Sequence, residues 1–393
     1  MIKNNIFFLA FFLLGFTVNS YAQDNLMPAK KTFKVAILAP LYLDSVFDNG
    51  TLKNKKVLPR LIMPGVDFVQ GAMIALDTIQ LNGKKVEARI FDSKSKKTPV
   101  STLIRNRQLE GSDLIIGSVR DPEYSQLASY AVSKNIPFVS ATYPNDGGIK
   151  KNPNLLIVNP TLQTHVDGIF SYLLQNHGTD NIYLVKQKND SRIENYFKAA
   201  NASEGKALLK IKTINLDSSI STYGLRLLLD TSKKVVIIGA SLDEIFSTKL
   251  ADAIYPIQKN TSIMYIGMPN WDGFKPFFKK NSYPSFPIYY TTSHYDTEKN
   301  AFSDYLTNQY FLKYRSKPSD MASKGFETSY FFTQILLNYP QDFIDNVNED
   351  KHSPFHKFNF RPVFSNKNDT IPDYYENKHL FVMKILDGEI SSL

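Results

Sequence analysis

The sequence predicts an α/β protein of two lobes, each with a parallel sheet covered by helices on both faces. Short apolar runs of β type alternate along the chain with segments whose apolar residues recur at helical spacing. Several of these runs are continuously apolar, which is typical of strands buried on both faces of a sheet. The alternation starts again near Asn159-Pro160, so the second half is predicted to repeat the architecture of the first.

Length and composition agree with two globular lobes. The 393 residues suffice for two domains at roughly 100–200 residues each. Apolar residues make up 43% and charged residues 21%, which excludes intrinsic disorder. The net charge of +9 is spread along the chain, so no nucleic-acid partner is expected. The absence of cysteine excludes disulfides, thiolate metal sites, cysteine nucleophiles and a bacterial lipoprotein anchor.

The N-terminus carries the pattern of a cleavable signal peptide, residues 1–22. Lys3 precedes an apolar run over 6–18, and Ser20-Tyr21-Ala22 matches the small-x-small pattern of signal peptidase sites. A helix of that run rises only about 20 Å, less than a hydrocarbon core of ~30 Å. We therefore expect cleavage after Ala22 and a periplasmic protein. No later segment is predicted to span a membrane.

The first half reads as strand and helix in turn. The run Phe33–Ala39 is closed by Pro40, and a helix with apolar residues at helical spacing follows and stops at Gly83. The elements predicted for this half are strands at Phe33–Ala39, Val86–Asp92, 113–117 and 136–141, and helices over 66–79, 99–109 and 122–133.

The second half opens with a helix that Thr161 is placed to cap and Gly178 to end. The same alternation then continues. The further predicted elements are strands at 181–185, 208–214, 235–240 and Ile263–Gly267, and helices over 191–202, 223–229 and 242–254.

The last third departs from this pattern. A strand at 287–292 and two aromatic-rich helices, over 301–314 and 325–338, are followed by a polar stretch. Two apolar runs near the end, 358–364 and 379–386, are predicted to pair as antiparallel strands. Aromatic side chains of the first of these helices are interpreted as core packing, in preference to a ligand cage; they are Phe302, Tyr305, Phe311 and Tyr314.

Four strings in this order resemble the type I periplasmic binding protein fold, the leucine/isoleucine/valine-binding family of ABC transporter substrate-binding proteins. They are KVAILAPLY, MPGVDFVQGAMIALDTI, DLIIGSVRDPEYSQLASYAVSKNIPFVSATYP and NPTLQTHVDGIFSYLLQNHGTDNIYLV. The resemblance covers nearly the whole chain after the signal peptide. It implies two Rossmann-like lobes joined by three crossings, with a ligand cleft between them. On that template lobe one spans 33–158 plus 284–340, and lobe two spans 159–283 plus 341–393.

The candidate ligand-binding residues lie in loops that follow the strands. In an open parallel sheet the carboxyl ends of the strands face a crevice, where helix N-termini favour anions. The candidates are Tyr42, Ser118, Arg120, Tyr124, Thr142, Tyr143, Asp190, Ser241, Asn270 and Trp271, with Asn145 and Asp272 beside them.

Each candidate also has a structural alternative. Arg120 is expected either to bind an anionic ligand or to form a local ion pair with Asp121. Trp271, the only tryptophan, suits a lid or a packed core. Tyr42 and Tyr143 suit stacking on a ligand or packing within the protein.

The resemblance also implies an amino-acid clamp, and this sequence departs from it. The family uses a serine at the start of the third lobe-one helix, a threonine after the next strand and an acid in the last lobe-two loop. Here Pro122 falls at the serine position, Thr142 matches the threonine, and the acid position falls on Pro269 or Asn270, next to Asp272. Ser118 or Ser125 remains an alternative for the serine.

No catalytic motif is found, so neither an enzyme nor a cofactor is expected. The six histidines are scattered. His352 and His356 are four apart, but Pro354 stands between them, which disfavours a helical metal pair, and we predict no metal site.

Two functions are consistent with these features. The first is an exported solute-binding protein that takes a small polar ligand, an amino acid or related metabolite, and serves an ABC permease or a sensor. The alternative is an envelope interaction module of the same fold, similar to penicillin-binding-protein activators. The lysine-rich loop over 44–64 and the C-terminal stretch over 341–378 would supply its protein-binding face.

Overall fold

A computed structural model of the protein describes residues 32–53, 58–203, 206–217, 219–295, 300–366 and 368–393. The predicted signal peptide lies outside the described residues. Two seven-stranded sheets form the centres of two lobes, as the sequence predicted.

The sheet of lobe one is parallel except at one edge. Its strand Phe33–Ala39 lies between Val86–Asp92 and Leu114–Gly117, with Val35 opposite Ala88 on one side and Leu114 on the other. All seven residues of this strand except Lys34 are buried, which explains their continuously apolar sequence. The full strand order is Phe360–Val363, Tyr374–Asn377, Leu155–Ile157, Phe138–Ser140, Leu114–Gly117, Phe33–Ala39 and Val86–Asp92.

The sheet of lobe two follows the same plan. Two central strands, Val235–Gly239 and Ile263–Gly267, are buried at every residue and pair in parallel. At one edge, Phe381–Leu386 pairs antiparallel with Ile288–Thr292 and with Glu389–Ser392. The full strand order is Ile211–Leu216, Asn181–Gln187, Val235–Gly239, Ile263–Gly267, Ile288–Thr292, Phe381–Leu386 and Glu389–Ser392.

Helices cover both sheets. In lobe one they are Leu43–Val46, Met63–Leu81, Val100–Arg105, Glu123–Lys134, Ala301–Tyr314 and Asp320–Asn338, with short 3₁₀ turns at Arg60–Ile62, Ile344–Asn346 and Asp350–His352. In lobe two they are Leu162–Asn176, Arg192–Asn201, Thr222–Leu228 and Glu244–Gln258, with 3₁₀ turns at Pro269–Gly273 and Lys275–Phe278. Two-residue ribbons pair Phe47–Asp48 with Thr51–Leu52 and Ala202–Ser203 with Lys206–Ala207.

The chain crosses between the lobes three times, through 158–161, through a segment that the structure describes at 293–295 and at Asn300, and through 378–380. These crossings correct two of the predicted boundaries. Ile288–Thr292, predicted in lobe one, extends the lobe-two sheet because Tyr265 of the neighbouring strand pairs with Ile288. The stretch up to Asn377, predicted in lobe two, belongs to lobe one because Tyr375 pairs with Leu156.

The predicted pairing of the last two apolar runs is wrong. Phe360–Val363 pairs with Tyr374–Asn377 in lobe one, whereas Phe381–Leu386 pairs with Ile288–Thr292 in lobe two. The strand Tyr374–Asn377 takes the place of the expected partner. The sequence did not indicate this strand, because its residues are typical of a polar loop.

Helix Met63–Leu81 packs against helix Asp320–Asn338 with almost no space between their backbones. A Cβ added at Gly71 would lie 1.9 Å from the carbonyl oxygen of Ala322, and one at Gly325 would lie 2.0 Å from that of Phe68. Only glycine permits this approach. Residues 60–81 are long and apolar enough to cross a membrane, contrary to the sequence expectation, but half of that apolar stretch is buried within the protein.

Substitution of Gly325 by alanine is expected to lower the free energy of unfolding by about 1–3 kcal/mol, because the added methyl group forces the two helices apart. Urea unfolding measures the change. Gly273→Ala is the matched control, since no atom lies within 4 Å of a Cβ added there. Equal midpoints for Gly325→Ala and the control would contradict the close helix contact.

Candidate functional site

A cavity of about 660 Å³ lies between the two lobes beside the crossings; we call it the interlobe cavity. Its size is that of a small-molecule site. Lobe one supplies Pro144, Asn145, Asp146, Lys324, Val363, Tyr374 and Glu376; lobe two supplies Leu162, Gln163, His165, Arg192, Tyr196, Leu242, Pro269, Asn270, Asp272 and Thr292; the crossings supply Asn159, Pro160, Thr161, Ser293 and Lys378.

The buried carboxylate of Glu376 links the first and third crossings through hydrogen bonds at one wall of the cavity. Glu376, on strand Tyr374–Asn377 of lobe one, accepts hydrogen bonds from the backbone N–H of Thr161 (2.7 Å) and from the hydroxyl of Thr164 (2.8 Å). Lys378 donates its ammonium to Glu376 at 2.5 Å and to Thr164 at 2.6 Å. Thr161 caps helix Leu162–Asn176, as predicted, by accepting from the N–H of Thr164. The first and third crossings are therefore joined at the base of this helix.

Two opposite charges face the cavity from different lobes. Lys324 projects from helix Asp320–Asn338, and Asp272 follows strand Ile263–Gly267. Neither forms an ion pair with another residue in the part of the chain that the structure describes. Solvent reaches Asp272 from the cavity, yet the surrounding protein walls raise the pKa of its carboxyl group, and the charge of Lys324 partly opposes this. The cavity thus offers both an unpaired cation and an unpaired anion.

Asn270 and His165 add polar groups to the lobe-two wall. The amide of Asn270 donates to the carbonyl oxygen of Leu242 at 2.8 Å, while its own Oδ1 is buried and accepts no hydrogen bond. His165 is buried, and its Nδ1 lies 2.9 Å from the hydroxyl of Thr291. Burial lowers the pKa of His165 to about 3, so the ring is neutral at pH 7.

Of the ten residues predicted to bind ligand, only Asn270 lines the interlobe cavity, together with its predicted neighbours Asn145 and Asp272. Ser118 and Thr142 do not line the cavity themselves, but Thr142 lies next to Asn159, which does. Their hydroxyls are 3.1 Å apart, and the carbonyl oxygen of Thr142 accepts from the amide of Asn159 at 3.1 Å.

The other predicted residues of lobe one lie away from the cavity lining. Tyr124 is fully buried, and its ring packs against that of Tyr143, 5.0 Å away. The hydroxyl of Tyr143 donates to Asp121, and Arg120 is exposed without the ion pair to Asp121 that the sequence allowed. Tyr42 directly precedes the short helix Leu43–Val46. Its own backbone is in the left-handed region, and its N–H donates to Asp92.

The other lobe-two residues predicted to bind ligand also lie outside the lining of the interlobe cavity. Trp271 is fully buried in the core, where it stacks over Gly267 and donates its indole N–H to the carbonyl oxygen of Ser241 at 3.4 Å. Ser241 is buried, and its hydroxyl accepts from the N–H of Asp243. Asp190 lines a separate surface depression and accepts from the N–H of Arg192.

The sequence did not point to Asp146, next to the predicted Asn145, nor to five further charged residues or histidines of the cavity; the five are His165, Arg192, Lys324, Glu376 and Lys378. Three of them lie on helices, and the other two lie at a lobe-one strand that was not predicted or directly after it. A search restricted to loops after predicted strands therefore cannot find them. The only signal available was that His165 and Arg192 fall in the first turns of predicted helices.

A family model described as periplasmic binding protein matches residues 63–209, which include helix Met63–Leu81 and the first elements of lobe two. A search of curated proteins finds no match.

Solved structures match almost the whole chain at low identity. Similar structures include a branched-chain amino acid ABC transporter periplasmic ligand-binding protein from Burkholderia xenovorans (TM-score 0.59, 10% identity, 92% of this chain and 94% of that chain). Another is an ABC transporter substrate-binding protein from Desulfitobacterium hafniense in complex with leucine (TM-score 0.55, 13% identity, 92% and 100%). A third is a branched-chain amino acid transporter substrate-binding protein from Streptococcus pneumoniae in complex with isoleucine (TM-score 0.52, 15% identity, 92% and 99%). The chain has the two-lobe fold of type I periplasmic binding proteins.

Proposed function

We propose that this protein is an exported solute-binding protein that captures a small zwitterionic ligand, an amino acid or a related metabolite, in the interlobe cavity. The observation that carries the proposal is the pair of opposite charges, Lys324 of lobe one and Asp272 of lobe two, which face the same cavity without pairing. A ligand carboxylate meets Lys324, and a ligand ammonium meets Asp272.

The position of the cavity supports a ligand-dependent closure. Each lobe contributes one of the charges, so a bound zwitterion links the lobes and favours the closed arrangement. The neutral ring of His165 and the side chain of Leu242 supply less polar wall for the rest of the ligand. The closed form would then be read by an ABC permease or a sensor in the envelope, with the protein in the periplasm. The structures that contain leucine or isoleucine support this choice of ligand class.

Thermal unfolding with added ligands tests the proposal. The protein is first unfolded, dialysed and refolded to remove carried-over ligand, then melted with amino acids, nucleosides, small sugars or peptidoglycan fragments. An amino acid at 100 times its Kd is expected to add about 2.7 kcal/mol of stability and to raise the melting temperature by several degrees. Unshifted melting with every amino acid would contradict the proposal.

Two neutral variants locate the ligand. Asp272→Asn and Lys324→Met each remove one charged hydrogen bond, worth about 1.5–3 kcal/mol, so the affinity is expected to fall by about 10- to 100-fold. Asp190→Asn is the matched control, because Asp190 also follows a lobe-two strand but lies outside the cavity. Equal affinities in isothermal titration calorimetry for Asp272→Asn and Asp190→Asn would place the ligand elsewhere.

A further inference from the structure

Two histidines and a glutamate come together beside the second crossing, and none of the three lines the interlobe cavity. His294 belongs to the crossing itself, Glu327 to helix Asp320–Asn338, and His356 to the loop that follows that helix in lobe one. Nδ1 of His356 lies 2.8 Å from Oε1 of Glu327, and Nδ1 of His294 lies 3.3 Å from Oε2. One ligating atom from each residue lies within 4.8 Å of the other two.

The hydrogen bonds orient the ligating atoms toward a common point. Nε2 of His356 makes its shorter contact, 2.9 Å, with the carbonyl oxygen of Tyr295, a partner that suits a ring proton on Nε2. The N–H of Tyr295 also approaches this Nε2, at 3.3 Å, so both tautomers find partners here. In the tautomer with its proton on Nε2, the lone pair of Nδ1 faces the Glu327 carboxylate and is available to a metal ion. A backbone carbonyl that receives the outer N–H is also the usual support of a metal-bound histidine.

His294 is the member of the cluster whose Nδ1 lacks a hydrogen bond, although this atom is buried. Burial alone would raise the pKa of Glu327, but the two imidazoles bring it down to about 2, so the carboxylate is ionised.

A small cavity adjoins the cluster. It measures about 20 Å³, enough for one water molecule, and His294 and Glu327 are among its walls. It also shares Asn159, Ser293 and Lys324 with the interlobe cavity. Space for a further ligand therefore lies beside His294 and Glu327, on the side of the crossings.

We propose that His294, Glu327 and His356 bind a divalent transition-metal ion of the zinc class, with one further position open to water. Two imidazole nitrogens and one carboxylate oxygen form a donor set that zinc accepts with three protein ligands. Magnesium and calcium prefer oxygen ligands alone, so this set disfavours them. Tetrahedral zinc with bonds of about 2.0–2.2 Å sets its donor atoms about 3.4 Å apart. The 2.8 Å contact between His356 and Glu327 must therefore widen on binding, and donor separations of up to 4.8 Å must shorten. The ion would hold the second crossing against lobe one.

Metal binding to the protein prepared without a histidine tag tests the proposal. The protein is stripped with a chelator, desalted and titrated with ZnCl₂ by calorimetry and with CoCl₂ by visible spectroscopy. We expect one equivalent of zinc to bind and to raise the melting temperature, and Co²⁺ to give the intense visible bands of a four-coordinate site. Binding of no zinc, or a cobalt spectrum of the hydrated ion only, would show that the cluster holds protons and would overturn the proposal.

Variants assign the bound ion to the cluster. His294→Asn, His356→Asn and Glu327→Gln are expected to weaken zinc binding by at least tenfold while the folded far-UV spectrum is kept. His352→Asn is the matched control, because His352 lies four residues from His356 and outside the cluster. Unchanged zinc affinity in a folded His294→Asn protein would overturn the assignment, and the cobalt spectrum of the wild type decides the question if the variants fail to fold.

Discussion

Trp271→Ala is expected to lower the free energy of unfolding by about 3–5 kcal/mol, the usual cost of removing a buried tryptophan. The indole is fully buried, and its ring centroid lies 4.7 Å from that of Tyr265. A Cβ at Gly267 would lie 1.9 Å from the indole, so the strand beneath is shaped to receive this ring. The cavity left by alanine cannot collapse easily, because the neighbouring rings of Phe274 and Phe277 are themselves packed in the core.

The experiment separates a core role from the lid role that the sequence also allowed. Denaturant unfolding of Trp271→Ala is compared with Tyr223→Ala, an aromatic truncation at a side chain that is 74% exposed. A lid residue would leave stability almost unchanged and weaken ligand binding instead. Similar unfolding midpoints for the two variants would contradict the buried position of Trp271.

The buried strands were the most predictable part of the fold. Phe33–Ala39 and Ile263–Gly267 were predicted with the bounds that the structure shows, because each is an apolar run of β type that stops before Pro40 or at Gly267. The assignment of late elements to lobes was less successful. Ile288–Thr292 would suit either sheet by composition, and only its pairing with Ile263–Gly267 decides the matter. Such pairings depend on the paths of the crossings, which leave no local signal in the sequence.

The candidate site was predictable only where it is made of loops that follow strands. Asn270, Asn145 and Asp272 were found in this way, since parallel strands direct their carboxyl ends toward the crevice. Lys324 and Glu376 were missed because they reach the cavity from a long helix and from an unpredicted strand. Tyr124 was selected for the same reason as Asn270, but its position in the first turn of a helix directs its ring into the core.

The histidine cluster shows a different limit. From the sequence, His356 could be paired only with its neighbour His352, and no metal site was predicted. In the structure its partners are His294 and Glu327, which lie on two other segments of the chain. Metal ligands with short spacing can be recognised from sequence, whereas ligands brought together by a crossing cannot, because nothing local specifies which segments meet.

The protein is expected to lose stability as the pH falls from about 6.5 to about 3, and His165 is expected to cause a large share of that loss. Burial lowers the pKa of His165 to about 3, well below its ordinary value of 6.5. Between these values the unfolded chain binds a proton that the folded protein does not, so acid favours unfolding. The effect grows by about 1.4 kcal/mol per pH unit and totals on the order of 4 kcal/mol. Above pH 6.5 it vanishes.

Urea unfolding across this pH range measures the contribution when wild type is compared with His165→Asn. The variant keeps a polar atom near the hydroxyl of Thr291 but removes the titrating ring. Its stability is expected to fall less steeply with acid, so the two curves converge toward pH 3. Val166→Ala, a buried truncation on the same helix, should instead give a curve parallel to that of the wild type. Parallel curves for all three proteins would mean that His165 accepts its proton in the folded state, and therefore that solvent in the interlobe cavity reaches the ring.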